Sequence, residues 1–191
     1  MQMKKASYLL FSAILLLLSC SKAENEFSRE ACFFIFDNAT HQDMTIASAM
    51  NNASPGVFCR VTKGMKSGAT TFSFANNQGL SSSAIANAVD MKRSIVLGIN
   101  NGLIVGFGNL NMPATFYAYD AQCPNCTDPD AVPLRNHPLE MTSAGLAICN
   151  TCHRSYDMNN GGIITAGEQG KKLIRYRSST TGPLGVLSIN N

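Results

Sequence analysis

Apolar residues in this chain come in short runs. From residue 32 onward, apolar or alternating stretches are separated by Gly, Asn, Pro and Ser, the pattern of strands bounded by turns. The runs predict strands near 32–37, 56–62, 70–74, 94–99, 103–107 and 116–120, with shorter ones near 146–148, 163–165, 172–176 and 185–189. Asn101-Gly102 sits between two of these runs and is a strong hairpin signal, because a type I′ turn needs positive φ at both central residues. Only 44–50 and 82–91 read as helices, and the polar stretch 76–83 reads as an ordered loop within the domain. No repeat or heptad interrupts the pattern. The expected fold class is all-β, an antiparallel β-sandwich over 31–191 with a small two-loop metal-binding subdomain at about 116–165.

The start of the chain follows a different pattern. Lys4 and Lys5 precede an apolar run at 8–18, and Ser19 stands before Cys20, which is the layout of a secretory signal peptide over 1–19. That run is too short for a hydrocarbon core, which needs about twenty apolar residues. Leu17-Leu18-Ser19-Cys20 resembles the bacterial lipobox. The resemblance implies that Cys20 is lipidated, that the peptide before it is removed, and that the mature protein lies in the bacterial cell envelope, held to a membrane by lipid. The alternative is an ordinary signal peptide cut elsewhere. Residues 20–30 read as the lipidated cysteine and a polar tether.

Loss of Lys4 and Lys5 takes the formal charge from +3 to +1. A nearly neutral chain lacks the basic footprint of a nucleic-acid binder, and without a polybasic segment its membrane attachment must come from lipid.

The chemistry concentrates in Cys123-Pro124-Asn125-Cys126 and, after twenty-two intervening residues, Cys149-Asn150-Thr151-Cys152. Each C-x-x-C turn can aim two sulfurs at one point, and two such turns complete a tetrahedral thiolate shell. Disulfides are the alternative, since an exported protein can form them.

These loops resemble those of the Rieske and Rieske-like domains. In that family a first loop carries Cys-x-His after a strand, and a second reads Cys-x-x-His-Gly-x-x-Phe-Asp before a Thr-Gly turn. Here Ala118-Tyr119-Asp120-Ala121-Gln122-Cys123-Pro124 is similar to the entry of the first loop. Cys149-Asn150-Thr151-Cys152-His153-Arg154-Ser155-Tyr156-Asp157 is similar to the second, and Asn160-Gly161 falls where the Thr-Gly turn belongs. The likeness runs over 116–189. It departs at the two ligand histidines: Cys152 stands at the second, and Asn125 stands at the first with Cys126 next to it. The resemblance implies a [2Fe-2S] cluster, here with four thiolates, a lower potential than a histidine-ligated centre and no ionisable imidazole ligand. A mononuclear Zn or Fe site is equally compatible with the four cysteines. Cys149-x-x-Cys152-His153 is also a c-type haem attachment string, a weaker reading because it leaves Cys123 and Cys126 unused and has only Met158 downstream as a distal methionine.

Cys32 and Cys59 each alternate with apolar neighbours, so they form either a disulfide or a pair of buried thiols. His41 and His137 read as solvated loop residues, and His153 occupies a position usually filled by Gly in the family, where its side chain can shield the metal loop. Asp128, Asp130 and Glu140 read as solvating the inter-knuckle loop, and Phe33, Phe72, Phe107 and Tyr117 as core. No catalytic motif is present, so no catalytic residue is assigned. Two functions then compete: an iron centre passing single electrons to an unknown redox partner, and a binding or structural module stapled by zinc or disulfides.

Overall fold

The structure, a computed structural model, describes residues 25–191. The expected signal peptide, Cys20 and the first residues of the tether lie outside the described residues.

Strand β1 (Phe33–Asp37) shows how the pattern becomes structure. Phe34 and Phe36 are fully buried while Phe33 is 38 % exposed, the alternation of a strand with one face on the core. Two short helices follow, α1 (Asn38–His41) and α2 (Met44–Ala49). Each begins on an Asp that caps it: Asp37 accepts from the Ala39 amide, and Asp43 from those of Thr45 and Ile46. The expected helix at 44–50 is present; α1 is an addition.

The chain then runs through β2 (Phe58–Lys66), β3 (Ala69–Asn76), β4 (Ser81–Ile85), β5 (Gly102–Phe107) and β6 (Phe116–Asp120). After β6 come β7 (Leu139–Met141), β8 (Leu146–Cys149), β9 (Ser155–Asp157), β10 (Ile163–Ala166), β11 (Arg175–Thr180) and β12 (Val186–Asn190). Eight of these form one antiparallel sheet in the order β1-β12-β11-β6-β5-β2-β3-β4, and β10-β9-β8-β7 form a second. The fold is all-β. The large sheet curls, because the rings of β1 meet those of β3: Phe34 and Phe36 lie 5.4 and 5.6 Å from Phe72, and Phe36 lies 5.2 Å from Phe74.

Its two faces carry separate cores. One holds Phe34, Phe36, Ile46, Phe72, Leu103 and Leu187. The other, under the four-stranded sheet, holds Phe58, Ile104, Tyr119, Leu139, Tyr156 and Met158. This second layer rests on β5 and β6.

Four expectations need correction. Residues 82–91 are not a helix: the serines of β4 pair with β3, and only the 3-10 turn Asp90–Lys92 is helical, so sheet pairing overrides local preference. Residues 94–99 are not a strand. Val96 makes a single bridge to Phe33, and Gly98 then turns to φ +66 beside the Asp120 carboxylate, which accepts the Ile99 amide at 2.8 Å. Asn101 has the expected positive φ of 56, but β5 pairs with β2 and β6 and not with the preceding run. Cys32 and Cys59 form no disulfide. Both are buried in the first core as free thiols, the second of the two expected states. Burial pushes both thiols up to about 12.

His41 is also not a solvated loop residue. Its ring stacks on Phe36 at 4.6 Å and its Nε2 lies 2.8 Å from the buried Asp90 carboxylate. Among the aromatics, Phe72 and Tyr117 are core as expected, while Phe33 is an exposed ring. No described helix is long and apolar enough to cross a membrane.

Candidate metal centre

The alternation of β6 continues past its last paired residue. Tyr117, Tyr119, Ala121 and Cys123 all belong to the second core, so Cys123 is placed by strand periodicity. On the facing sheet, Ala147 and Cys149 of β8 and Tyr156 of β9 point into the same core. Cys126 and Cys152 arrive differently. Each sits in a turn, closed in the first knuckle by Thr127 N–H to Cys123 O at 3.0 Å and in the second by His153 N–H to Cys149 O at 2.8 Å. Within each knuckle the first cysteine is therefore buried and the second half-buried.

The four Sγ atoms lie within 4.8 Å of one another. Cys123 to Cys152 measures 3.7 Å and Cys126 to Cys149 3.8 Å. A metal ion with bonds of about 2.3 Å to four thiolates at tetrahedral angles needs sulfur–sulfur edges of roughly 3.8 Å. The residues fit such an ion, and no disulfide joins them.

Electrostatics points the same way. Burial raises Cys152, but the Arg154 backbone N–H and guanidinium, with Cys126 and Cys149, outweigh it and set this thiol at about 6. Cys126 is pushed up, first by burial and then by its thiol neighbours; Cys123 is raised by burial despite a lowering hydrogen bond from Tyr156. One sulfur ionises readily and the next resists. Ionising all four in so small a volume requires a cation at their centre.

Around the sulfurs lies a second layer of contacts. The Tyr156 hydroxyl is 3.3 Å from Cys123 Sγ and accepts the Asn125 amide at 2.9 Å. Asn125 also donates to Lys171 O at 2.7 Å and accepts from Lys171 N at 2.9 Å, fastening the first knuckle to the approach of β11. His137 spans the two knuckles: its carbonyl accepts the Cys123 amide at 2.9 Å, and its Nδ1 is 3.0 Å from Thr151 Oγ1. These supports were not read from the sequence as site residues, although Asn125 lies inside a knuckle and Tyr156 falls at an aromatic position of the motif. His153 takes φ 57, the conformation that favours Gly, and its side chain is exposed. Asp128, Asp130 and Glu140 are exposed as expected.

The haem reading has no room here. Cys149 is buried with its sulfur against Cys126, and Met158 is fully buried under Tyr119, whose hydroxyl donates to its carbonyl at 2.9 Å. Comparison with protein-family models, curated proteins and solved structures finds no match to this chain.

Proposed function

We propose that this chain is a cell-envelope lipoprotein, anchored through Cys20, whose Rieske-like β domain holds one iron ion on Cys123, Cys126, Cys149 and Cys152 and passes single electrons. The sulfur spacing carries the single-ion reading. All four sulfurs lie within 4.8 Å of one another, whereas two sulfide-bridged irons, each held by one thiolate pair, would set the two pairs farther apart than that. The resemblance to Rieske domains supports an electron-transfer role. So does the placement of Cys126 and Cys152, whose partial exposure puts two ligands at the surface. The layer beneath has its own core of Leu139, Tyr156, Met158 and Leu173, so the ion is not the only thing holding these loops together. Four thiolates offer no ligand proton to couple to the electron.

Zinc is the second reading, because the same tetrahedral edge suits it and would make the centre a staple. The deciding experiment is metal and sulfide analysis with an absorption spectrum on the full chain, purified in detergent without oxygen. One iron per chain, no acid-labile sulfide and a bleachable visible band support the proposal. Stoichiometric zinc without colour removes electron transfer, and two irons with two sulfides overturn the single-ion site.

A further inference from the structure

The first described residues are fastened beside the metal loops. The Ser28 amide donates to the Arg175 carbonyl at 2.8 Å, and the Arg175 guanidinium donates to Glu26 at 2.7 Å. That guanidinium lies over the Phe27 ring at 5.0 Å, with Arg177 over the same ring at 5.1 Å. An exposed ion pair alone would add little. Together with a backbone hydrogen bond and two cation–π contacts, it fixes the course of 26–28 along the start of β11. A few residues earlier, Lys171 exchanges two hydrogen bonds with Asn125 of the first knuckle. Asn25 and Glu26 share the walls of one small cavity with Pro124, the residue after Cys123. The chain thus enters the domain next to the four-cysteine centre.

Five Cα steps separate Cys20 from Asn25. Even fully extended they span at most about 18 Å, at about 3.6 Å per residue. The tether starts at the metal-loop end, so that end comes nearest to the anchor, and the far side of the domain lies a further strand length away. β11 leads away from Arg175 to Thr180, a further ~17 Å at about 3.4 Å per residue, and ends at the turn containing Gly182, Pro183 and Leu184.

We propose that the end of the domain carrying Cys123, Cys126, Cys149 and Cys152 faces the lipid bilayer, held there by the short tether and the packing of 25–28 on the approach to β11. The surface that meets the membrane is then the metal-loop end, and a partner reaching the thiolate centre does so at the membrane. This rests on the reading of Cys20 as the lipid anchor.

The chain has no Trp, so a single introduced Trp reports alone. Gln169→Trp places it on the exposed segment between the second knuckle and Lys171, and Leu184→Trp on the far turn, where Leu184 is 55 % exposed. Each full-length lipidated variant is reconstituted into phosphatidylcholine vesicles with and without a dansyl-headgroup lipid. Trp emission is read as the ratio of the two, which cancels any quenching by the bound metal. Energy transfer from Gln169→Trp should exceed that from Leu184→Trp by roughly twofold or more, given a tether that cannot exceed about 18 Å. Equal transfer, or greater transfer from Leu184→Trp, overturns the orientation. Asp130→Trp and Ser179→Trp form a second near-and-far pair at exposed positions should either first variant misfold. Vesicle flotation reads the anchor separately: flotation lost in Cys20→Ser supports lipidation there. A wild-type chain that does not float removes the anchor reading and this orientation with it.

Discussion

Tyr156→Phe isolates one hydroxyl at the metal centre. Asn125 Nδ2 donates to the Tyr156 oxygen at 2.9 Å, so the tyrosine proton is free to point at Cys123 Sγ, 3.3 Å away. Phe keeps the fully buried ring, and Asn125 keeps its bond to the Lys171 carbonyl. What is lost is a donor to a thiolate. A hydrogen bond to a charged group contributes about 1.5–3 kcal/mol, and a bound cation already neutralises part of the sulfur's charge, so the lower end applies. About 1.5 kcal/mol corresponds to roughly tenfold in affinity, within the range expected for contacts that support metal ligands. The assay is competition between the reduced protein and a chromophoric chelator for cobalt or zinc under anaerobic conditions. Tyr119→Phe serves as the control. Its hydroxyl donates to the Met158 carbonyl at 2.9 Å in the same core without touching a sulfur, so it should cost about 1 kcal/mol of stability and leave metal affinity unchanged. A folded Tyr156→Phe protein with wild-type affinity, or equal losses in both variants, would refute the assignment of this proton to Cys123.

Other consequences follow from the same contacts. Cys32 and Cys59 hold their protons up to about 12 against an ordinary 9.0. The folded state therefore keeps protons that the unfolded chain releases, and stability is full below pH 9 and falls between about 9 and 12. At pH 10 the loss is about 1.4 kcal/mol per thiol. Urea midpoints should fall less steeply with pH from 8 to 10 in Cys59→Ala than in wild type, and parallel slopes would sink the idea. In Gly170→Ala the new Cβ meets the Asn125 amide oxygen, displacing the side chain that supports Tyr156. Chelator competition should show weaker metal binding, with an effect that does not add to that of Tyr156→Phe. Phe36→Ala, removing a ring packed on Phe34, Phe72, Phe74 and His41, should cost about 3–5 kcal/mol in urea unfolding while leaving metal affinity within error. A large affinity loss there would mean that the two cores are coupled.

The parts of the fold that were legible in the sequence are those where one strand face is continuously apolar. β1, β5 and β6 stood out for that reason, and the all-β class followed from them. β7 and β9 are paired over three residues each, too few to show a period, and β4 is mostly serine; their partners define these strands more than their own residues do. The inward facing of Cys32 and Cys59 was visible in the alternation. Whether they pair was not, because that depends on how the two strands meet in the folded core. His41 was misread for a similar reason, since its partner Asp90 lies 49 residues away. The four thiolates were legible from spacing alone, whereas Tyr156, His137 and Gly170 join the site only through tertiary contact.

The two ligands of each knuckle are set by different parts of the structure, and that division makes the centre intelligible. Cys123 and Cys149 continue the inward alternation of β6 and β8, so the sheets hold them whether or not an ion is bound. Cys126 and Cys152 depend on turns closed by backbone hydrogen bonds and are half-buried. Strand pairing thus prepares the inner half of the tetrahedron, and the ion completes the outer half, where repulsion between ionised sulfurs would otherwise oppose closure. Such a site binds through a partly formed cradle, which costs less ordering than assembling four ligands from a disordered chain. It also leaves its completed edge at the surface. On the proposed electron-transfer reading, the partial exposure of Cys126 and Cys152 is what would bring the ion within reach of a partner.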